Sequence, residues 1–186
     1  GVVPTPAVAF LVGKYKADAG VMISASHNPF EFNGIKIFSG DGYKLPDALE
    51  EEIEAIVLDG VHDFKFPEGK EIGRLSYAEN AVKDYIDHVK STLAFSLNGL
   101  KIAFDCSNGS ASRTAEKLFS ELGVECHMLH NKPNGTNIND NCGSIYMDGL
   151  VQYVLENNLE AGIAFDGDAD RCLAVDNKGN IIDGDF

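Results

Sequence analysis

The chain is poor in positive charge. Against 29 Asp and Glu it sets only 15 Lys and Arg, a formal net charge of −14 at pH 7. A field of that sign repels phosphate backbones and anionic bilayers, so neither nucleic acid nor a membrane is expected as a partner. An anionic small substrate would need a local pocket of cations or a metal. Long apolar runs are missing as well, and none approaches the roughly 20 residues that cross a bilayer. No charged segment followed by an apolar one opens the chain, so secretion is not expected. Cysteine is scarce: Cys106, Cys126, Cys142 and Cys172 form no C-x-x-C pair. Cys106 and Cys126, in expected buried strands, read as reduced thiols packed like small hydrophobes, and zinc is not expected. Asn108-Gly-Ser and Asn134-Gly-Thr match glycosylation sequons, but without a signal segment they read as chance. The expected location is the cytoplasm.

What is present is ordinary for a globular chain. The 186 residues are 44% hydrophobic and 24% charged, enough for one domain or two small ones. The chain opens at Gly1 inside a stretch that already reads as structure, so it is expected to be a piece of a longer protein.

Its organisation changes near residues 90–99. Before that point, residues 4–15 have helical spacing, and "AGVMIS" reads as a buried strand with "GIKIF" as a second. Residues 46–58 predict a helix with Leu49, Ile53, Ile56 and Val57 on one stripe, and residues 77–92 predict another. Beyond it strand and helix alternate. Strands are predicted at "LKIAFD", "VECHML" and "AGIAFD", helices over 109–123 and 147–158, and a glycine-turn hairpin at the end. That rhythm predicts a parallel, doubly wound α/β layer. The expected domains are therefore 1–94 and 95–186, with the first incomplete.

Two stretches carry chemistry. In "FDGDADR", Asp166, Asp168 and Asp170 follow a buried strand at alternate positions. Gly167 and Ala169 keep the intervening positions small, so three carboxylates can converge. They would repel one another without a cation, and hard oxygen ligands suit Mg²⁺ better than zinc. The end of a strand in an α/β sheet is also where ligands bind. An EF-hand fits poorly, because its Gly and Glu positions hold Arg171 and Asn177. A phosphatase of the haloacid dehalogenase type, with Asp166 as nucleophile, is an alternative, although such enzymes usually carry Thr or Val at the place of Asp170.

The second stretch, "SASHNPFEFNGIK", places Ser26, His27 and Asn28 between two strands, with Lys36 on the second. A serine hydrolase is a weak reading, since Ser24 and Asn28 stand where the G-x-S-x-G elbow needs glycine. Elsewhere, "CSNGSAS" reads as a plain strand-to-helix turn in preference to an anion site. "NGTNINDNCGS" is too long and polar for a simple connector, which leaves room for a role at a cleft.

Together these stretches resemble the α-D-phosphohexomutase superfamily, whose phosphoserine loop reads Ser/Thr-x-Ser-His-Asn-Pro followed by Asn-Gly-x-Lys, and whose metal loop reads Asp-Gly-Asp-x-Asp-Arg. The likeness extends through "PTPAVAF", "DGYKLP" and "NKPNGTNINDNCGS" and runs nearly end to end, nearest to the phosphoglucosamine mutase branch. It departs at Ile145-Tyr146, where relatives carry Thr-His or Leu-His. The resemblance implies two consecutive mixed or parallel-sheet α/β domains of the phosphohexomutase type. It implies that Ser26 is phosphorylated and joins Asp166, Asp168 and Asp170 around Mg²⁺. Lys36 and Arg171 would flank the phosphate, Lys36 as candidate for proton transfer, while His27 and Asn28 would shape the loop. The implied substrate is a hexosamine phosphate, handled through a bisphosphate intermediate. Phosphomannomutase or phosphoglucomutase activity is the alternative within the superfamily, and a non-catalytic module that kept the fold is a third reading. The superfamily's Gly-Glu-x-Ser-Gly and Arg-x-Ser-Gly-Thr loops do not occur in this sequence, so this piece alone is expected to be inactive. Open edges of an incomplete domain could pair two copies into a dimer.

Overall fold

A computed structural model describes residues 1–185 and shows two sheets joined by helices. The first sheet has two strands, β1 (Ala19–Ile23) and β2 (Ile35–Ser39), paired antiparallel with Met22 opposite Lys36. Helix α1 (Thr5–Tyr15) covers one face, so close that a Cβ on Gly20 would lie 2.5 Å from Val12. The strand expected to be buried is therefore covered on one side only. Val21 and Ile23 point away from α1 and are 58% and 69% exposed. Helix α2 (Asp47–Asp59) forms with acidic residues in its first turn, but none of its residues is buried, and its predicted stripe packs only partly.

The second sheet has strand order β4-β3-β5-β6-β7, from β3 (Lys101–Asp105), β4 (Glu125–Leu129), β5 (Ala161–Phe165), β6 (Cys172–Asp176) and β7 (Ile181–Ile182). β3, β4 and β5 run parallel, and β6 and β7 are antiparallel additions, so the sheet is mixed. Successive side chains of β3 point to opposite faces. Ala103 joins Leu150, Val154 and Val175 under helix α5 (Asp148–Glu156), whereas Ile102 and Phe104 face helix α4 (Ala115–Glu121), where Phe104 stacks on Phe119 at 4.2 Å. The helix expected over 109–123 begins instead as a 3-10 turn, Ser110–Arg113, and restarts after Thr114 at φ −125°; Ser and Thr are weak in a helix interior.

Helix α3 (Ala81–Ser91) links the layers. Its Ile86 is buried, its His88 stacks on Phe10 of α1, and its Lys90 pairs with Glu121 of α4. It starts later than the predicted residue 77, because burial begins only at Val82 and Ile86 and a helix without packing is marginal.

The chain leaves β3 for β4 on one side and returns to β5 on the other. The loops after β3 and β5 therefore diverge at a topological switch point, the position where α/β sheets bind ligands. No helix among the described residues is long and apolar enough to cross a membrane.

Candidate functional site

Two loops from different sheets meet at this switch point. The first, between β1 and β2, carries Ser26 with φ 54°, a left-handed conformation uncommon for a residue with a side chain. The backbone N–H of Ser26 donates to Ser24 Oγ at 3.0 Å. The second follows β5 and curls tightly: Ala169 N–H donates to the Asp166 carbonyl at 3.1 Å, with Ala169 itself at φ 54°.

Ser26 Oγ donates to Asp166 Oδ2 at 2.7 Å and accepts from Arg171 Nη2 at 2.8 Å. Arg171 Nε also donates to Asp166 Oδ2 at 3.2 Å, and Nη2 lies 2.6 Å from His27 Nδ1, which accepts. Lys36, on β2, reaches Asp168 at 2.6 Å and Asp170 at 3.1 Å. Asn28 joins the cluster through its backbone carbonyl, which accepts from Asn139 Nδ2 at 2.9 Å. All eight residues singled out in the sequence thus come to one place. A cleft of about 550 Å³ opens beside the cluster; of the eight, Ser26 and Asn28 line it, together with Phe30, Asn108 and Ser110.

The acid trio fits a divalent cation. Asp166, Asp168 and Asp170 each offer an oxygen within 4.8 Å of the others, a donor set of hard ligands. Asp168 is 0% exposed, and its Oδ1 has no hydrogen-bond partner. An orphaned carboxylate oxygen in the interior is costly unless a cation meets it.

The electrostatics differ along the trio. Burial lifts the Asp166 carboxyl above the ordinary range, against the bonds from Ser26 and Arg171. Burial also works against the Asp168 charge, but Lys36 and Thr5 outweigh it and hold that carboxyl below the usual range. For Lys36, burial opposes the charge and the bonds from Asp168 and Asp170 prevail, so its pKa is raised. Asp166 is 1% exposed and accepts from Ser26 and from the backbone and side chain of Arg171, which leaves it poorly placed to attack a phosphoryl group as the dehalogenase-type reading requires.

Sequence reasoning passed over three supporting residues. Thr5 binds Asp168 through both its hydroxyl and its N–H. Asn139 donates to the Ser26 and Asn28 carbonyls; the only signal was the excess length of its polar segment. Asp105, buried at the end of β3, accepts from Ser107 N–H and Gly143 N–H and lies 3.0 Å from His130 Nδ1, tying down the loops behind the cleft. Beside it, burial and the Asp105 charge push the Cys142 thiol up to about 12.

Known proteins match this chain in sequence and in fold. Residues 1–62 match the sequence profile of the phosphoglucomutase/phosphomannomutase α/β/α domain I, and residues 83–179 match that of domain II. Phosphoglucosamine mutases of Clostridium acetobutylicum and Clostridium novyi are 56% and 54% identical over the whole chain. The chain spans about two fifths of the length of these curated relatives, 42% and 41%. Among solved structures, a phosphoglucomutase/phosphomannomutase family protein from Burkholderia thailandensis superposes with TM-score 0.76 at 25% identity, over 96% of this chain and 40% of that one. A protein described as a putative phosphomannomutase from Thermus thermophilus shares the fold with TM-score 0.78 at 21% identity, over 97% of this chain and 41% of its own. With one profile covering more than half of its length, and with serine loop and acid trio joined as described, the chain belongs to the phosphoglucomutase/phosphomannomutase family.

Proposed function

We propose that the whole protein is a phosphoglucosamine mutase, interconverting glucosamine 6-phosphate and glucosamine 1-phosphate, and that this chain supplies its phosphoserine and its metal loop. The observation that carries the reading is the 2.7 Å bond from Ser26 Oγ to Asp166 across the two sheets. The substrate rests on relatives named phosphoglucosamine mutase at 54–56% identity.

In the proposed cycle Ser26 begins as a phosphoserine. A hydroxyl of the sugar monophosphate attacks its phosphorus; the new O–P bond forms, the Oγ–P bond breaks, and the proton lost by the sugar hydroxyl ends on Ser26 Oγ, restoring the serine hydroxyl. The resulting bisphosphate turns over and returns its other phosphoryl group to Ser26. Arg171 Nη2, already on Oγ at 2.8 Å, faces the negative charge that develops as Oγ leaves. Lys36 is held as an ammonium by Asp168 and Asp170, which favours an electrostatic role over proton transfer. His27, through its Nδ1, orients the Arg171 guanidinium. Mg²⁺ held by Asp166, Asp168, Asp170 and the Ser26 phosphate would supply Lewis-acid stabilisation of the leaving oxygen, worth several kcal/mol.

The four free thiols accord with a reducing cytoplasm. The test is Ser26→Ala in the full-length protein, assayed for interconversion of the two glucosamine phosphates. Activity should vanish. Wild-type activity in Ser26→Ala would overturn the reading and restore Asp166 as candidate nucleophile.

A further inference from the structure

Asn139 lies in the polar connector after β4, outside both motifs. It is 6% exposed, and its own N–H is spent on the Ser107 carbonyl at 2.9 Å. Its side-chain Nδ2 donates to Ser26 O and Asn28 O, each at 2.9 Å. Two acceptors fix the orientation of the amide, since a flip would set oxygen against oxygen. The buried Oδ1 has no partner. A buried acceptor without a donor is destabilising, so this placement serves the serine loop at some expense to the fold.

The same point is crowded from the other side. A Cβ on Gly167 would lie 2.4 Å from Ser26 O and 2.8 Å from Asn139 Nδ2. Serine loop, metal loop and polar connector therefore meet at one carbonyl group, that of Ser26. The remaining hydrogen bonds from Ser26 to the second sheet run through Oγ, to Asp166 and Arg171. Oγ is the atom that gains and loses a phosphoryl group, and once esterified it has no proton to donate. Bonds to the Ser26 and Asn28 carbonyls are unaffected by esterification.

We propose that Asn139 is a positioning residue for phosphoryl transfer: its amide clamps the backbone of the serine loop onto the metal loop, in the same place whether or not Ser26 carries its phosphate. The inference rests on the phosphoserine reading above. It also explains why the left-handed backbone of Ser26 persists, because strain of that kind lasts only where the surroundings over-determine it.

The test compares full-length wild type with Asn139→Ala and Asn139→Asp. The aspartate keeps shape and backbone bond but turns oxygen toward both carbonyls. In each variant kcat should fall about 10- to 100-fold, as expected for a misplaced reacting group, with KM within about twofold, normalised to folded protein. Phosphate on Ser26 should also be lost to water more slowly than in wild type, because the same leaving Oγ has moved from Arg171, and a fall in fold stability alone would not slow it. Should Asn139→Ala fail to fold, Asn139→Asp carries the comparison. Wild-type kcat per folded molecule in both variants that fold, with an unchanged rate of phosphate loss, would overturn the assignment. An inactive wild type with no phosphate on Ser26 would instead overturn the phosphoserine reading on which it rests.

Discussion

Thr5 binds Asp168 twice across 163 positions of sequence: its N–H donates to the Asp168 carbonyl at 2.8 Å, and its Oγ1 to Asp168 Oδ2 at 2.7 Å. The start of α1 is thereby fastened to the acidic loop after β5 in the other sheet. A bond to a buried carboxylate is worth about 1.5–3 kcal/mol. Thr5→Val keeps the shape and the backbone bond but removes the hydroxyl. It should lower stability by about that amount, read as a shift of the urea midpoint with unchanged slope. An unshifted midpoint would mean that Lys36 alone satisfies Asp168.

The orphaned Oδ1 of Asp168 points to a second outcome. Asp168→Asn removes the ionised ligand and leaves the volume nearly unchanged. Titration calorimetry with Mn²⁺ should show affinity weakened by about tenfold or more, equivalent to 1.4 kcal/mol per decade. Equal affinity in the two proteins would move the ion away from the acid trio.

A third outcome concerns pH and the closing hairpin. Asp176 accepts from Asn180 Nδ2 at 2.8 Å and from the N–H groups of Asn180 and Lys178 at 2.9 and 2.8 Å, and these bonds hold its carboxyl below the ordinary range. A carboxyl depressed in the folded state stabilises above its unfolded value of about 3.9, and the contribution is lost as pH falls through the folded value. Asp176→Ala should therefore be less stable than wild type near neutral pH, and the gap should close in strong acid. A gap of constant size from neutral pH to about pH 2 would show that the carboxylate charge contributes nothing.

The second sheet was legible in the sequence because its signals are local. Ile102 and Phe104 alternate with Ala103 and Asp105, and the strand can lie only between helices. The convergence of the acid trio was legible because its three carboxylates stand at alternate positions just past a strand, with small residues between them. The first sheet misled: "AGVMIS" reads as a buried strand, yet nothing among the described residues covers Val21 and Ile23. Thr5 and Asn139 were invisible for a different reason. Their partners are a carboxylate 163 positions away and two backbone carbonyls more than 100 positions away, and a carbonyl has no residue type for a motif to record.

The bond from Ser26 to Asp166 spans 140 positions. Joining groups so far apart in sequence costs loop-closure entropy that is spent before the contact offsets it. A nascent or half-folded chain therefore has its serine and its acid trio apart. The pairing of serine and acid trio exists only when both sheets are formed and docked, and a chain with either sheet unformed lacks the site.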